Sequence, residues 1–170
     1  MARKHERRVD TTRKGRKLEI YAEQLFKELG KWFVKRNVYY SFRSVLRDRV
    51  VRRVQVDVQY YDLYGKTIVE CKHYDVWRVS AQAVEDFDDT VRLVKPSNAL
   101  LITNSSLTRE AQGLAEEYGI QVYDGEGLKM LDQERQGLRG RRKTLEEQLK
   151  EVDLRRYPRE NYYIKRYVLV

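Results

Sequence analysis

The chain has one cysteine, two histidines and two prolines among 170 residues, and no apolar run near the ~20 residues of a membrane-spanning helix. A single thiol, Cys71, excludes an intrachain disulfide and argues against a cysteine-based structural zinc site. His5 and His73 are too few and too far apart for a metal cluster. Neither the phosphate-cradling loop of nucleotide hydrolases nor the dinucleotide-binding fingerprint occurs, so no nucleotide cofactor is expected. The basic N-terminus, MARKHERRVDTTRKGRK, has no apolar stretch behind it and does not read as a secretory signal. Together these absences lead to the expectation of an intracellular, cytoplasmic protein with no membrane partner. No internal repeat or low-complexity segment is evident.

What the chain has in quantity is charge, at 36% of residues, with a formal net charge of +9. The excess is segregated. Residues 1–17 hold eight Lys/Arg against two acids, residues 31–53 eight against one, and residues 139–166 ten against five. The rest of the chain is acidic on balance. A solvated basic surface would account for such numbers, but the segregation favours a polyanion partner, with phosphates as its natural chemistry.

Hydrophobic periodicity gives the order of elements. Leu18, Ala22, Leu25, Phe26 and Leu29 recur at three-and-four spacing, which predicts a helix from about Thr11 or Thr12, as caps, to Leu29. Gly30 closes it, and residues 1–10 are expected to be a basic flexible arm. Residues 37–45, 51–62 and 66–74 read as strands, joined by a hairpin at 46–49 and a turn at 63–66. Residues 79–95 read as a helix capped by Ser80 and ended near Pro96, and 99–104 as a strand buried on both faces. A helix over 107–119, capped by Thr108, and a short strand at 120–125 complete the alternation. The fold class is therefore α/β, a central mixed β-sheet flanked by helices in the order αβββαβαβ over residues 11–131. Residues 132–170 read as a helical and strand extension. Within it, Leu138, Leu145, Leu149 and Val152 keep partial helical spacing interrupted by Gly137 and Gly140. After Pro158, NYYIKRYVLV predicts an extra strand, tucked against its own sheet or a second subunit.

Strand parity singles out three charged residues. Along the second strand, Val54, Val56, Val58 and Tyr60 are expected on one face and Gln55, Asp57 and Gln59 on the other. In TIVECKHY, residues 67–74, Val69 and Cys71 share a face while Ile68, Glu70 and Lys72 share the opposite one. Paired as hairpin neighbours, the two strands would bring Asp57, Glu70 and Lys72 together and leave Cys71 as a small core hydrophobe. An ordinary cross-strand ion pair also fits these residues. Two carboxylates on one face repel unless a cation lies between them, and oxygen ligands suit Mg²⁺ or Mn²⁺. A lysine beside them can orient or deprotonate a water and stabilise a phosphorane-like transition state, which is the chemistry of phosphodiester hydrolysis. His73, facing away by the same parity, reads as structural. Tyr39, Tyr40, Tyr162 and Tyr163 read as packing residues, with base stacking as the alternative.

Asp57 followed by Glu70-Cys71-Lys72 resembles the D…(D/E)-x-K signature of the restriction-endonuclease-like PD-(D/E)xK nuclease superfamily. GRKLEIYAEQLFKELG, residues 15–30, resembles the first helix of its Mrr-like restriction endonuclease family. LLITNSSLTREAQGLAEEYGIQVYDGEGL, residues 100–128, resembles that family's closing strand-helix-strand unit, with its "TN", "T-x-x-A" and "DG-x-x-L" elements. The resemblance spans about residues 15–131. The usual Gly-Gly-x-Asp turn before the first acid is here Val54-Gln55-Val56-Asp57, a departure shared with archaeal Holliday-junction resolvases, and no modified-base specificity is implied.

The resemblance implies a restriction-endonuclease-like core and a Mg²⁺-dependent DNA endonuclease, with Mn²⁺ able to substitute. Asp57, Glu70 and Glu19 would be the metal-binding acids and Lys72 the catalytic lysine, with Gln82 a further candidate on the following helix. Arg43, Arg47, Arg49, Arg52 and Arg53, with Lys14, Arg16 and Lys17, are the expected grip on the DNA backbone. Cutting two strands needs two sites, so a homodimer is expected, with YYIKRYVLV as a contact. A DNA-binding module without chemistry, a junction-selective nuclease and an RNA-directed nuclease are the alternatives. The sequence leaves open the substrate's shape and whether the role is repair, restriction or a mobile element.

Overall fold

The computed structural model describes the backbone of residues 2–47, 49–137, 144–157 and 160–168, and side chains within those ranges from Arg13 onward. Its elements run α1 (Ala2–Glu28), β1 (Trp32–Ser44), β2 (Val50–Asp62), β3 (Gly65–Lys72), α2 (Ala81–Val94), β4 (Asn98–Thr103), α3 (Arg109–Glu117), β5 (Gln121–Tyr123), α4 (Gly125–Gly137), α5 (Leu145–Glu151) and β6 (Tyr162–Val168).

Helix α1 begins at Ala2, so the stretch expected as an arm belongs to the helix. From Ala2 to Lys14 it contains no glycine or proline and seven helix-favouring Arg, Lys and Ala residues, which gives no reason to break. The side chains of Thr11 and Thr12, the expected caps, lie outside the described residues. The other end is as expected. Gly30 takes φ 76°, and Lys31 N–H donates to Phe26 O at 2.9 Å while Gly30 N–H donates to Lys27 O at 3.1 Å. This paired closure needs a left-handed residue at the glycine position.

The six strands form one sheet in the order β5-β4-β3-β2-β1-β6. β1, β2 and β3 are antiparallel neighbours, while β3, β4 and β5 run parallel. Each face carries its own core. On one, Val58, Tyr60, Val69, Cys71, Leu100 and Ile102 pack with Leu18, Leu25 and Phe26 of α1, Leu128 of α4 and Leu145 of α5. On the other, Val38, Tyr40, Val56, Ile68 and Leu101 pack with Ala83, Val84 and Phe87 of α2 and Ala111 of α3. Ser80 and Thr108 cap α2 and α3 as predicted. Among the described residues, no helix is long and apolar enough to cross a membrane.

One expectation fails informatively. Val56 and Val58 do not share a face: Val56 packs on the α2 side and Val58 on the α1 side. Their partners on β1 do the same, Val38 with the α2-side core and Arg36 reaching Glu23 of α1 at 2.8 Å. Between those partners Asn37 sits at φ 53°, a left-handed conformation that Asn tolerates better than most residues. The pleat is therefore broken across residues 37 and 57, and the alternation expected along the second strand reverses at Asp57. Strand β3 keeps its parity, with Val69 and Cys71 on the α1 side and Ile68 on the α2 side.

The C-terminal third packs onto this frame. Leu128, Leu145 and Leu149 join the α1-side core, and Thr144 with Glu147 forms a reciprocal cap on α5. Leu138, Gly140 and Pro158 lie outside the described residues. β6 pairs parallel to β1 from Val38↔Tyr162 to Ser44↔Val168, so the terminal segment tucks against its own sheet.

Candidate active site

The break in the pleat puts Asp57 where β2 and β3 part company. Ladder pairing between them runs from Asp62↔Gly65 to Val58↔Val69 and stops there. One residue farther, Asp57 no longer pairs through its backbone. Instead its Oδ2 accepts the Cys71 N–H at 2.8 Å, a side chain standing in for a ladder bond. Glu70 and Lys72, alternate residues of β3, form an ion pair of 2.6 Å between Oε1 and Nζ. Both are half-buried.

The electrostatics tie four residues together. Burial, then the Glu70 and Glu19 carboxylates, push the Asp57 carboxyl well above the usual range, against the pull of Cys71 N–H and Lys72. Glu19 stands on α1 between the fully buried Leu18 and Ile20, which aims that turn of the helix at the sheet. Burial works to lower the Lys72 pKa, yet Glu70 and then Asp57 outweigh it, and the ammonium is held more firmly than in water. Cys71 is buried among apolar neighbours, with its thiol pushed well up by burial and by the same acids. A thiol in that setting is a packing group.

The wall beside this cluster comes from residues whose chemistry the sequence did not disclose. Just past Lys72, Tyr74 N–H donates to Asn104 Oδ1 at 2.9 Å, and Asn104 Nδ2 donates back to Tyr74 O at 2.8 Å. Ser105 Oγ donates to Trp77 O at 2.8 Å, and Val79 N–H donates to Ser106 O at 2.9 Å. Gly125 N–H donates to Ser105 O at 2.9 Å, so close that a Cβ there would stand 2.9 Å from Asn104 O. Asp124 Oδ1 accepts from Glu126 and Gly127 N–H, starting α4 and setting Leu128 in the core. The "TN" and "DG-x-x-L" elements therefore clamp the chain leaving β3. A cleft of about 620 Å³ opens alongside, with Lys14, Lys17, His73, Asn104, Lys129 and Lys150 in its walls. Lys129 and Lys150 were not foreseen: Lys129 stands on α4 at the end of the expected core, and Lys150 on α5 in the extension beyond it.

The remaining sequence candidates are dispersed. Gln82 is exposed on α2 and donates to Asp86 Oδ1 at 3.0 Å, one helical turn along. Lys14 pairs with Asp75 at 2.8 Å, and Arg16 donates to the Tyr157 carbonyl. Lys17 is half-buried in the cleft wall. Arg47, Arg49, Arg52 and Arg53 are exposed around the β1–β2 hairpin, and Arg43 is half-buried. Arg52 pairs with Asp89 of α2 at 3.5 Å. Arg53, four residues from Asp57 on β2, lies roughly 13 Å along the strand, and the hairpin tip lies farther still.

A family model described as restriction endonuclease, the Mrr catalytic domain, matches residues 12–131. No curated protein matches the sequence. The crystal structure of AF1548, a protein of unknown function, superposes with a TM-score of 0.59 at 17% identity, covering 71% of this chain and 66% of its own. Can2 from Sulfobacillus thermosulfidooxidans, solved in complex with cyclic tetra-adenylate, gives 0.51 at 13% identity, covering 69% of this chain and 34% of its own. The chain thus spans about two thirds of the first structure's length and about a third of the second's. At such identities the likeness is one of fold.

Proposed function

Because the chain belongs to the restriction endonuclease family, we propose that it is a divalent-metal-dependent DNA endonuclease that hydrolyses phosphodiester bonds at Asp57, Glu70 and Lys72. The observation that carries this reading is the Asp57 carboxylate, withdrawn from water beside Glu70 and Glu19, with Lys72 as the neighbouring ammonium. A purely structural ion pair would need one acid, not three.

Oxygen donors of net negative charge fit a hard cation. Among the described residues no three side chains of ligand type converge closely enough to enclose one. Mg²⁺ is bound through one or two carboxylates while keeping several of its own waters, which leaves room for a substrate phosphate, with Mn²⁺ as a substitute. Asp57 and Glu70 would hold the ion, with Glu19 completing the acidic shell. The bound ion would supply Lewis-acid polarisation of the phosphoryl oxygens and a more acidic water. Lys72, kept charged by Glu70 at 2.6 Å, donates hydrogen bonds. Its role is therefore to orient the attacking water and to neutralise charge on the pentacoordinate phosphorus, not to accept a proton. Lys14 and Lys17 in the cleft, with the hairpin arginines, would hold the backbone of the DNA.

One chain has one such site, so cutting both strands of a duplex calls for a second copy. We assign that contact to the free backbone edge of β6, one of the two edge strands of the sheet, and not to its side-chain face. Sedimentation with and without DNA tests it, and a monomeric mass in both would remove it. An intracellular setting accords with Cys71 as a free thiol.

The decisive experiment incubates labelled duplex, flap, single-stranded and four-way-junction DNA, and matching RNA, with Mg²⁺, Mn²⁺ or EDTA. Wild type is compared with Asp57→Ala and Lys72→Ala. Metal-dependent cutting of DNA that both substitutions abolish is the expected result. Cutting that survives both would sink the site assignment, and binding without cutting under every condition would leave only a nuclease-like scaffold.

A further inference from the structure

We propose that the open face formed by β6, β1 and the first half of β2 holds unpaired nucleotides of the substrate, with tyrosines stacking on bases and Arg and Lys gripping the backbone between them. This rests on the nuclease reading and specifies the substrate's form.

The α1-side core covers Val58, Tyr60, Val69 and Cys71, the strands at and beyond Asp57. It does not extend over the other half of the same face. There, Tyr163 and Tyr167 of β6 are 71% and 63% exposed. The opposite side of β6 supplies the packing, since Tyr162, Ile164 and Val168 lie against the α2-side core. Tyr163 and Tyr167 are thus not required to fix the strand, and two large rings left in water on one face call for an occupant.

The register sets out what surrounds them. Tyr163 lies opposite Tyr39, and the rings stack with centroids 5.5 Å apart and planes 23° from parallel. Two residues along, Lys165 lies opposite Ser41, which in turn faces Arg53 on β2. Two residues farther, Tyr167 lies opposite Arg43. Aromatic, cationic and aromatic positions follow one another with no acid in these rows. Tyr39 also faces Gln55 of β2, and Gln55 is two residues, roughly 7 Å, from Asp57. The platform therefore ends two residues short of Asp57 on β2.

Charge and ring geometry together select the occupant. A second copy of the chain would set Lys165, Arg53 and Arg43 against their own equivalents, which like-charge repulsion opposes. A polyanion is complementary. Inside a duplex the bases stack on one another and offer a protein no free face, whereas unpaired bases stack on exposed aromatics whatever their identity.

The test measures anisotropy of a labelled oligothymidylate and of a blunt duplex of equal length, in EDTA so that nothing is cut. Wild type is compared with the Tyr163→Ala/Tyr167→Ala and Tyr163→Phe/Tyr167→Phe pairs. The alanine pair is expected to weaken single-strand binding by more than about tenfold, while the phenylalanine pair, which still stacks, retains it. Duplex binding should be unchanged in both. Loss of equal size on both ligands, or no loss on the single strand, would overturn the proposal. So would a wild-type dimer that the alanine pair converts to monomer, because the rings would then be a contact between copies. Binding without metal separates the two readings. A chain that binds single strands through these tyrosines yet cuts nothing keeps this surface and loses the nuclease. A chain that cuts, with binding indifferent to them, does the reverse.

Discussion

Strand β3 carries a lysine near each end on the same face, and the two live under opposite rules. Lys66 lies over the Tyr40 ring at 5.3 Å and 3.4 Å from the Val94 carbonyl, with Arg166 above the same ring at 5.2 Å. Burial, and then Arg166, draw its pKa down to about 8. Lys72 is also withdrawn from water, yet Glu70 at 2.6 Å and Asp57 beyond it raise its pKa. Burial alone thus does not decide the fate of a strand lysine; its company does. The Lys66 end holds two cations and, among the described residues, no acid paired with the lysine, while at the Lys72 end Glu70 and Asp57 act on the ammonium and Glu19 acts on Asp57. Only the second arrangement gains from another cation.

The sharpest way to break this contrast is Asp57→Asn. Cleavage should fall by more than about 100-fold if Asp57 is the metal ligand proposed above and not merely a supporting contact. Stability should move the other way. The Asp57 carboxyl holds its proton more tightly in the folded chain than the ordinary value of about 4. The native state therefore binds more protons than the unfolded one from about pH 4 upward, and stability falls as pH rises through that window. In EDTA at pH 7 the Asn variant should melt above wild type, and this part of the pH slope should vanish. Mg²⁺ should raise the melting temperature of wild type and leave the variant unmoved. A variant that melts lower than wild type would mean the carboxylate is structural.

Lys72→Met should cost roughly 100-fold in cleavage, about what one positioned charge-stabilising donor contributes. Here stability should fall in EDTA, since Glu70 and Asp57 lose their cation. The rise in melting temperature expected with Mg²⁺ should persist, because the proposed metal ligands are the acids and not the lysine. Its disappearance would assign Lys72 to holding the site's shape.

Much of this was legible in the chain, and what was not has a physical cause. Ser80, Thr108 and Gly30 act locally, through a cap or a left-handed turn, and local rules found them. The faces of β3 followed period two because its pleat is unbroken. The faces of β2 did not, and the reason lies on the neighbouring strand, at Asn37, where no rule applied to β2 could see it. The reciprocal Thr144–Glu147 cap was written in the sequence, but at the start of a helix too short to announce itself by periodicity. Tyr163 and Tyr167 alternate with Tyr162 and Ile164 in plain view. Which set would be covered depended on where β6 docked. Asn104 was visible only as half of a resemblance; its two hydrogen bonds to Tyr74 belong to tertiary structure.

That lock offers a milder way to separate the ends of β3. Asn104→Ala removes both bonds to Tyr74, two residues past Lys72, and should destabilise the chain by about 1–3 kcal/mol in urea titrations. Cleavage should drop severalfold as Lys72 loses its fixed backing, while the titration of Lys66 at the far end stays where it was. Equal disturbance of both lysines would show that β3 responds as a unit.

The smallest effect belongs to Lys66→Met. The native Lys66 gives up its proton near pH 8, the unfolded one near 10.4. Between those values the unfolded chain binds the extra proton, so stability due to this residue rises with pH across the window. Below it both states are charged, and the cost of holding an ammonium beside Arg166 is carried in full. The methionine variant keeps the apolar stem without the charge, so at pH 7 it should melt slightly above wild type. Cys71, Tyr21 and Tyr40 all release their protons late in the fold and pull stability down at high pH. Cys71 and Tyr21 do so equally in both proteins. Tyr40, which Lys66 touches at 3.5 Å, enters only above the ordinary tyrosine value of about 10. Below that, the quantity to follow is the difference in melting temperature between the two proteins. It should be constant below about pH 8 and shrink toward pH 10. A difference that stays flat across that range would mean Lys66 keeps its proton, and that the cost of burying a lysine on this strand does not depend on its neighbours.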